Sequence, residues 1–193
     1  MHIHRLSAPT MPIARGRKKP SRGFSLIELL VSIAIIAIIT ATILARYSAF
    51  NSTVLLKDLA YEVALSIREA QSFGVSVRGV ESNFEQVYGV HFVPGTTTYT
   101  LFVDTNENNI YNTGEAITTY NIGNNNKIGA VYTNSTSRDS LDVVFRRPEP
   151  DAEYYVNGSS TRVDANHASI EVTAPNGNKH TVLIYPTGQI SIE

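Results

Sequence analysis

The chain has 193 residues, 42% of them apolar and 17% charged, which suits one globular domain plus an appendage and excludes wholesale disorder. It contains no cysteine, so disulfide scaffolds, thiolate metal sites and cysteine nucleophiles are excluded. The formal net charge of −1 conceals an asymmetry: residues 1–23 hold six basic side chains and no acid, while the rest hold ten basic and seventeen acidic, a net of −7. A basic head on an acidic body indicates a head with a separate task.

The head (1–23) ends at Arg22-Gly23, and an apolar run of 21 residues follows at once, FSLIELLVSIAIIAIITATIL (24–44), with Glu28 as its one charge. About 20 apolar residues span hydrocarbon as a helix. The run is too long for the apolar region of a cleaved secretory signal, and it carries a carboxylate. Residues 24–45 therefore read as a transmembrane helix, and the arginines and lysines before it place the N-terminus in the cytoplasm. Glu28 is costly at this depth and calls for a partner.

The string R-G-F-S-L-I-E-L-L resembles the prepilin signal of type IV pilins and type II secretion pseudopilins. The resemblance implies that a membrane prepilin peptidase cuts between Gly23 and Phe24 and methylates the new amine of Phe24. It implies in turn that Glu28 meets the amine of a neighbouring subunit and sets the axial register of a fibre. Physical chemistry agrees with the pattern: glycine adds no bulk at the scissile bond, and a carboxylate and an amine in low dielectric recover by pairing much of what each loses alone.

No proline occurs from 24 through 93 and no glycine between Gly23 and Gly74, so the helix is expected to run on to about Phe73. Residues 46–74 become amphipathic, with Leu55, Leu59, Val63, Ile67 and Ala70 at helical spacing and Lys57, Asp58, Glu62, Arg68 and Glu69 elsewhere on the wheel. From Val87 the period turns to two. Strands are expected at 87–93, 98–104, 116–121, 141–145, 168–174, 179–185 and 189–192, with turns at Pro94-Gly95, Asn176-Gly177 and 186–188. Residues 146–166, polar and proline-bearing, read as a surface excursion. The fold class is α+β: a long N-terminal helix, membrane-spanning in its first half, packed on an antiparallel β-sheet domain that occupies 75–193.

The second half resembles the GspH/FimT branch of minor pseudopilins, through Asp104, Asn106, Asn108, Gly114-Glu115 and the closing P-T-G-Q-I-S of 186–191. That resemblance implies a structural subunit of a periplasmic pseudopilus or pilus for type II protein secretion. Its precursor sits in the bacterial inner membrane with the C-terminal domain periplasmic. The partners implied are prepilin peptidase and other pilin-like subunits, met through the helix. The alternative within the branch is a type IV minor pilin that binds DNA during natural transformation. Only Arg146-Arg147, with Arg138 and Arg162, could form a basic patch, and a mature chain of net −7 argues against nucleic acid.

An enzyme is not indicated. His91, His167 and His180 lie in or beside strands with no second ligand at useful spacing, and no nucleophile-elbow, zinc-protease, P-loop or dinucleotide fingerprint occurs. No organic cofactor is implied. One cation loop is: from Asp104, oxygen-bearing residues fall at positions 1, 3, 5, 9 and 12 (Asp104, Asn106, Asn108, Asn112, Glu115), with the Ile110 carbonyl at 7. That is the ligand spacing of a twelve-residue calcium loop, although position 6 is Asn109 where glycine is usual. The competing reading is a polar hairpin loop whose Asp and Asn side chains satisfy backbone groups.

Overall fold

The computed structural model describes residues 23–76 and 86–193, with side chains in all of these but 45–52. The basic leader therefore lies outside the described residues, Gly23 excepted. The chain divides into two compact units, Met1–Ala45 and Arg46–Glu193.

One helix, α1 (Leu26–Val75), contributes to both. In the first unit its Leu26–Leu44 segment is long and apolar enough to cross a membrane, and none of it is buried. In the second unit it turns amphipathic: Leu56, Ala60, Val63, Ile67 and Ala70 are wholly buried and Leu59 and Ala64 nearly so, while Lys57, Asp58, Glu62 and Arg68 are exposed. Leu55, expected in the buried stripe, is only half-buried, and its neighbour Leu56 takes the core position. With two adjacent leucines, spacing alone does not choose between them.

Ten strands follow: β1 (Val87–Phe92), β2 (Thr98–Asp104), β3 (Ala116–Asn121), β4 (Lys127–Thr133), β5 (Thr136–Arg138), β6 (Leu141–Phe145), β7 (Ala152–Val156), β8 (Ala168–Thr173), β9 (Lys179–Ile184) and β10 (Ile190–Ile192). They form two five-stranded sheets, ordered β3-β2-β1-β6-β7 and β10-β9-β8-β4-β5, and every pairing is antiparallel. The seven expected strands are present to within a residue or two. The reading of 146–166 as a surface excursion is corrected at 152–156, where β7 closes the edge of the first sheet and buries Ala152, Tyr154 and Val156. Five residues of alternating pattern were hidden there between prolines and charges. β4 was missed because a register shift between Ile128 and Ala130 breaks its alternation. Gly129 sits at that bulge, against the Thr173 side chain.

The buried face of α1 and the inner faces of both sheets share one core, in which Ile67, Phe92, Leu101, Phe145, Tyr154, Ile170 and Ile184 are among its members. Each fully buried aliphatic side chain stabilises the fold by about 2 kcal/mol. Polar contacts fasten the helix at its C-terminal half. The Gln71 amide donates to the carbonyls of Pro150 and Gly188 at 2.8 and 3.2 Å, and Arg68 donates to Gly188 at 3.1 Å. Gly188 has φ +75, and a Cβ there would meet the Pro150 carbonyl and the Gln71 amide, so only glycine turns the chain into β10 beneath the helix.

Gly74 decides how closely the end of α1 approaches β6. A Cβ there would lie 2.6 Å from the Phe145 carbonyl oxygen and 2.8 Å from its Cβ. Helix propensity favours alanine over glycine by about 1 kcal/mol, whereas forcing atoms into a packed contact costs about 1–3 kcal/mol. Gly74→Ala should therefore lower stability, by about 1–2 kcal/mol in urea unfolding of the domain, against the sign that propensity alone gives.

Burial raises the phenol of Tyr99 to about 12, with the carboxylates of Glu62 and Glu69 adding to the shift and a Ser66 hydrogen bond opposing it. Burial likewise raises Tyr155 to about 12, helped by its hydrogen bond to Glu153. A phenol that is harder to ionise when folded contributes stability that is full below its unfolded pKa of about 10 and lost as pH rises through the folded value. Urea midpoints should hold level up to about pH 9 and fall between about 10 and 12, and Tyr99→Phe should flatten part of that fall.

Candidate functional site

The N-terminal unit presents Gly23 and Phe24 just before the first turn of α1. The Ser25 carbonyl accepts the Leu29 N–H at 3.1 Å, which makes Ser25 the capping residue, and Glu28 stands in the first turn, where the helix dipole favours an acid. Ser25 and Glu28 also carry the spacing of a capping box. Phe24 is 77% exposed and Gly23 is exposed, so among the described residues nothing covers the bond between them. Two hydroxyls in the apolar segment are hidden by bonding back along the helix, Ser32 to the Glu28 carbonyl at 2.7 Å and Thr42 to Ile38 at 2.9 Å. Among the described residues the Glu28 carboxylate has no hydrogen-bond partner. It is the one charged group of this segment and has no compensating partner among the described residues.

The second place of interest is the loop 104–115, which folds over the outer face of the first sheet. Ile110 and Tyr111 pack there on Val87, Phe102, Val144 and Tyr155. Asp104 is 2% exposed and accepts the N–H groups of Asn108 at 3.2 Å and Asn109 at 2.7 Å. Glu115 is 4% exposed and takes the Thr105 N–H and hydroxyl, each at 3.0 Å, on one oxygen, and the Asn112 N–H at 2.8 Å on the other. Asn106 and Asn108 accept the N–H groups of Asn108 and Ile110, respectively, and Asn112 donates to Asn108 and to the Ile110 carbonyl. Glu107, Asn109 and Gly114 supply the positive φ values, 64, 65 and 104, that the tight path requires.

All six residues of the expected calcium set thus lie in one loop, and each is engaged within it. Every carboxylate oxygen of Asp104 and Glu115 already holds a donor, and Asn112 turns its NH2 group toward the set. No group of three or more His, Cys, Asp or Glu residues gathers to hold a metal among the described residues. The donor chemistry fits a self-capped hairpin better than a calcium site.

A residue that the sequence reasoning passed over ties this loop down. Asp142, 1% exposed and second in β6, accepts the Tyr111 N–H at 3.3 Å and bonds His91 Nδ1 of β1 at 2.7 Å, while the rings of His91 and Tyr111 lie 5.0 Å apart, tilted by 36°. An aspartate inside the otherwise apolar LDVVF was the available signal. His91 is thereby accounted for as the partner of a buried carboxylate.

The four arginines considered as a basic patch are mostly spent. Arg146 reaches Asn109 and lies 3.7 Å from Glu153, Arg162 pairs with the same Glu153 at 3.3 Å and with Asp164 at 3.8 Å, and Arg138 donates to Thr133. Two of them share the one carboxylate of Glu153.

Among known families, the chain matches the Prokaryotic N-terminal methylation motif over residues 18–44. No curated protein and no solved structure matches the chain. The motif is the prepilin-type signal found in type IV pilin-like and pseudopilin proteins, and an apolar N-terminal helix carrying it fits a membrane-anchored pilin. The α+β arrangement, an apolar helix continued over antiparallel sheets, is consistent with a pilin-like fold.

Asp104→Ala strips the acceptor from two loop N–H groups and should cost about 2–3 kcal/mol in urea unfolding, equally with EGTA or millimolar calcium. A calcium-dependent rise in melting temperature that Asp104→Ala abolishes would establish a cation site in its place.

Proposed function

We propose that the chain is a non-catalytic minor pseudopilin or minor pilin. It is anchored in the bacterial inner membrane as a precursor, with the N-terminus cytoplasmic and the β-rich domain periplasmic. Prepilin peptidase cuts between Gly23 and Phe24 and methylates Phe24, and α1 then packs with other pilin-like subunits in a pseudopilus or pilus. The observation that carries this reading is the methylation motif over 18–44, continuous with an apolar segment none of whose side chains is buried. The unpartnered Glu28 gives it a mechanism: cleavage creates, four residues upstream, an amine that a carboxylate in hydrocarbon needs. A buried ion pair serves specificity more dependably than stability, which suits a register between subunits.

Type II secretion is favoured over DNA uptake by charge. The chain after the cleavage point carries −7, and three of the four candidate arginines are engaged within the domain. The P-T-G-Q-I-S run at 186–191, whose Gly188 is clasped by Arg68 and Gln71, supports the GspH/FimT branch.

Mass spectrometry of protein extracted from membranes should find a chain that begins at Phe24 and is one methylene heavier than unmodified. Gly23→Val should leave the leader attached, and since nothing lies within 4 Å of a Cβ at Gly23, such a block reads the peptidase and not the fold. Glu28→Ala should be cleaved yet fail to assemble in crosslinking assays. Normal assembly of Glu28→Ala would remove the proposed ion pair, and an intact leader on the unaltered protein beside an active peptidase would remove the assignment.

A further inference from the structure

The outer strand of a sheet presents backbone N–H and C=O groups with no strand beside them, and folded proteins blunt such edges. Among the described residues three of the four edges are blunted. β5 and β10 are only three residues long. The outer side of β7 is taken by residues 162–163, through the Val163 N–H on the Tyr154 carbonyl at 2.8 Å and a bridge between Arg162 and Tyr155. The fourth edge is β3, whose sequence AITTYN has no charge and no proline, and of its residues all but Tyr120 are exposed. The Ile122 N–H bonds the Thr97 carbonyl at 2.7 Å, so the alternation of an antiparallel ladder turns the backbone groups of Thr118 and Tyr120 toward β2 and those of Thr119 and Asn121 outward. No described segment pairs with that outer side.

The helix gives this edge a sign. Asp58, Glu62 and Glu69 fall on one line of α1 at 3.6 residues per turn. Glu69 accepts the Tyr120 hydroxyl from β3 at 2.7 Å, and Glu62 and Glu69 both bear on the Tyr99 phenol of β2, so the acidic line runs beside the open edge. Among the described residues Asp58 and Glu62 are exposed and form no ion pair.

We propose that β3 takes up an extended basic segment of another polypeptide as an added antiparallel strand, with its main chain on Thr119 and Asn121 and its lysines or arginines, at every second residue, toward Glu62 and Asp58. Main-chain pairing supplies affinity without regard to sequence, and the acidic line supplies the selection. A second copy of the chain does not fit. Two β3 edges joined antiparallel are related by a twofold axis normal to the sheet, which sends the partner's α1 the opposite way, whereas copies anchored in one bilayer share a direction. The other three edges of a copy are blunted. Exclusion of the copy rests on the anchored reading above; the open edge and its acidic flank do not.

The test titrates the full-length protein in detergent micelles with fluorescent peptides of eight residues: lysine alternating with threonine, glutamate alternating with threonine, and lysine alternating with proline, which keeps the charge and lacks half the N–H groups. The lysine–threonine peptide should bind saturably, and the other two should bind at least about tenfold more weakly. Thr119→Pro should weaken the lysine–threonine peptide about tenfold at an unchanged urea midpoint, because the N–H it removes points away from β2. Glu62→Lys should weaken it about fivefold and strengthen binding of the glutamate–threonine peptide, a gain that misfolding cannot produce. The proposal is overturned by no saturable binding, by equal binding of the lysine–proline peptide, which marks general attraction to an acidic surface, or by an affinity indifferent to either substitution. Maturation at Phe24 is read separately by mass, so failure here leaves the anchored reading standing.

Discussion

Both sheets of the domain close on one surface, the face of α1 that carries Leu56, Leu59, Ala60, Val63, Ala64, Ile67 and Ala70. Neither sheet could leave its inner face to water, since Phe92, Leu101 and Phe145 on one side and Ile170, Val182 and Ile184 on the other are wholly buried. The small residues on the helix matter as much as the large ones. Ala60, Ala70 and Gly74 let the strands come close, and at Gly74 the approach leaves no room for a Cβ. The Arg68 and Gln71 contacts with Gly188 and Pro150 then fix the turns on the far side of the same helix. The domain has no disulfide to fall back on, so this packing has to hold it.

The outer face of the first sheet poses a separate problem, which the 104–115 loop solves. Strands β1, β2 and β6 are buried on both faces, and Phe102, Val144 and Tyr155 lie under Ile110 and Tyr111. A polar loop can lie over an apolar face only if its backbone groups are satisfied. Asp104, Glu115 and three asparagines do that from within the loop, and Asp142, itself held by His91, does it from the sheet. The resemblance of this spacing to a cation loop follows from a shared need: side-chain oxygens at alternate positions turn a chain tightly whether they face a metal or the loop's own amides.

The long helix was legible because proline and glycine are absent over fifty residues and the apolar pattern is strong, and most strands were legible because β-branched and aromatic residues alternate between turn formers. What escaped had local causes. β7 lies inside a polar, proline-bearing stretch, and its Ala152, Tyr154 and Val156 make too short an alternation to stand out. β4 is out of phase across its bulge. That there are two sheets and not one depends on pairings between residues far apart in sequence, such as β4 with β8, which periodicity does not encode. At the candidate site, Gly23, Phe24 and Glu28 were legible as a string because their chemistry is local. Asp142 was not, because its importance arises only when β1, β6 and the loop meet.

The division of charge along the chain now has a physical sense. The basic leader and the acidic body sit on either side of an apolar segment, and a carboxylate placed just inside that segment has no protein partner in the described residues. A carboxylate there is costly while the amine that could pair with it is tied up in the Gly23-Phe24 peptide bond. In the proposed maturation, cutting that bond would remove six positive charges from one side of the segment and create one at its end, so a single covalent step would change both the topological signal and the environment of Glu28. Within one helix the amine and Glu28 stand four residues apart, close enough to satisfy each other, and this sets a condition on assembly. A neighbouring subunit gains register from the pair only if exchanging partners between helices costs little, and in hydrocarbon it does, because one carboxylate and one amine are paired before and after the exchange. What then decides the arrangement is the packing of the apolar surfaces around them. In the proposed fibre the charges would choose the register, and the side chains of Leu26–Leu44 would supply the contact that holds it.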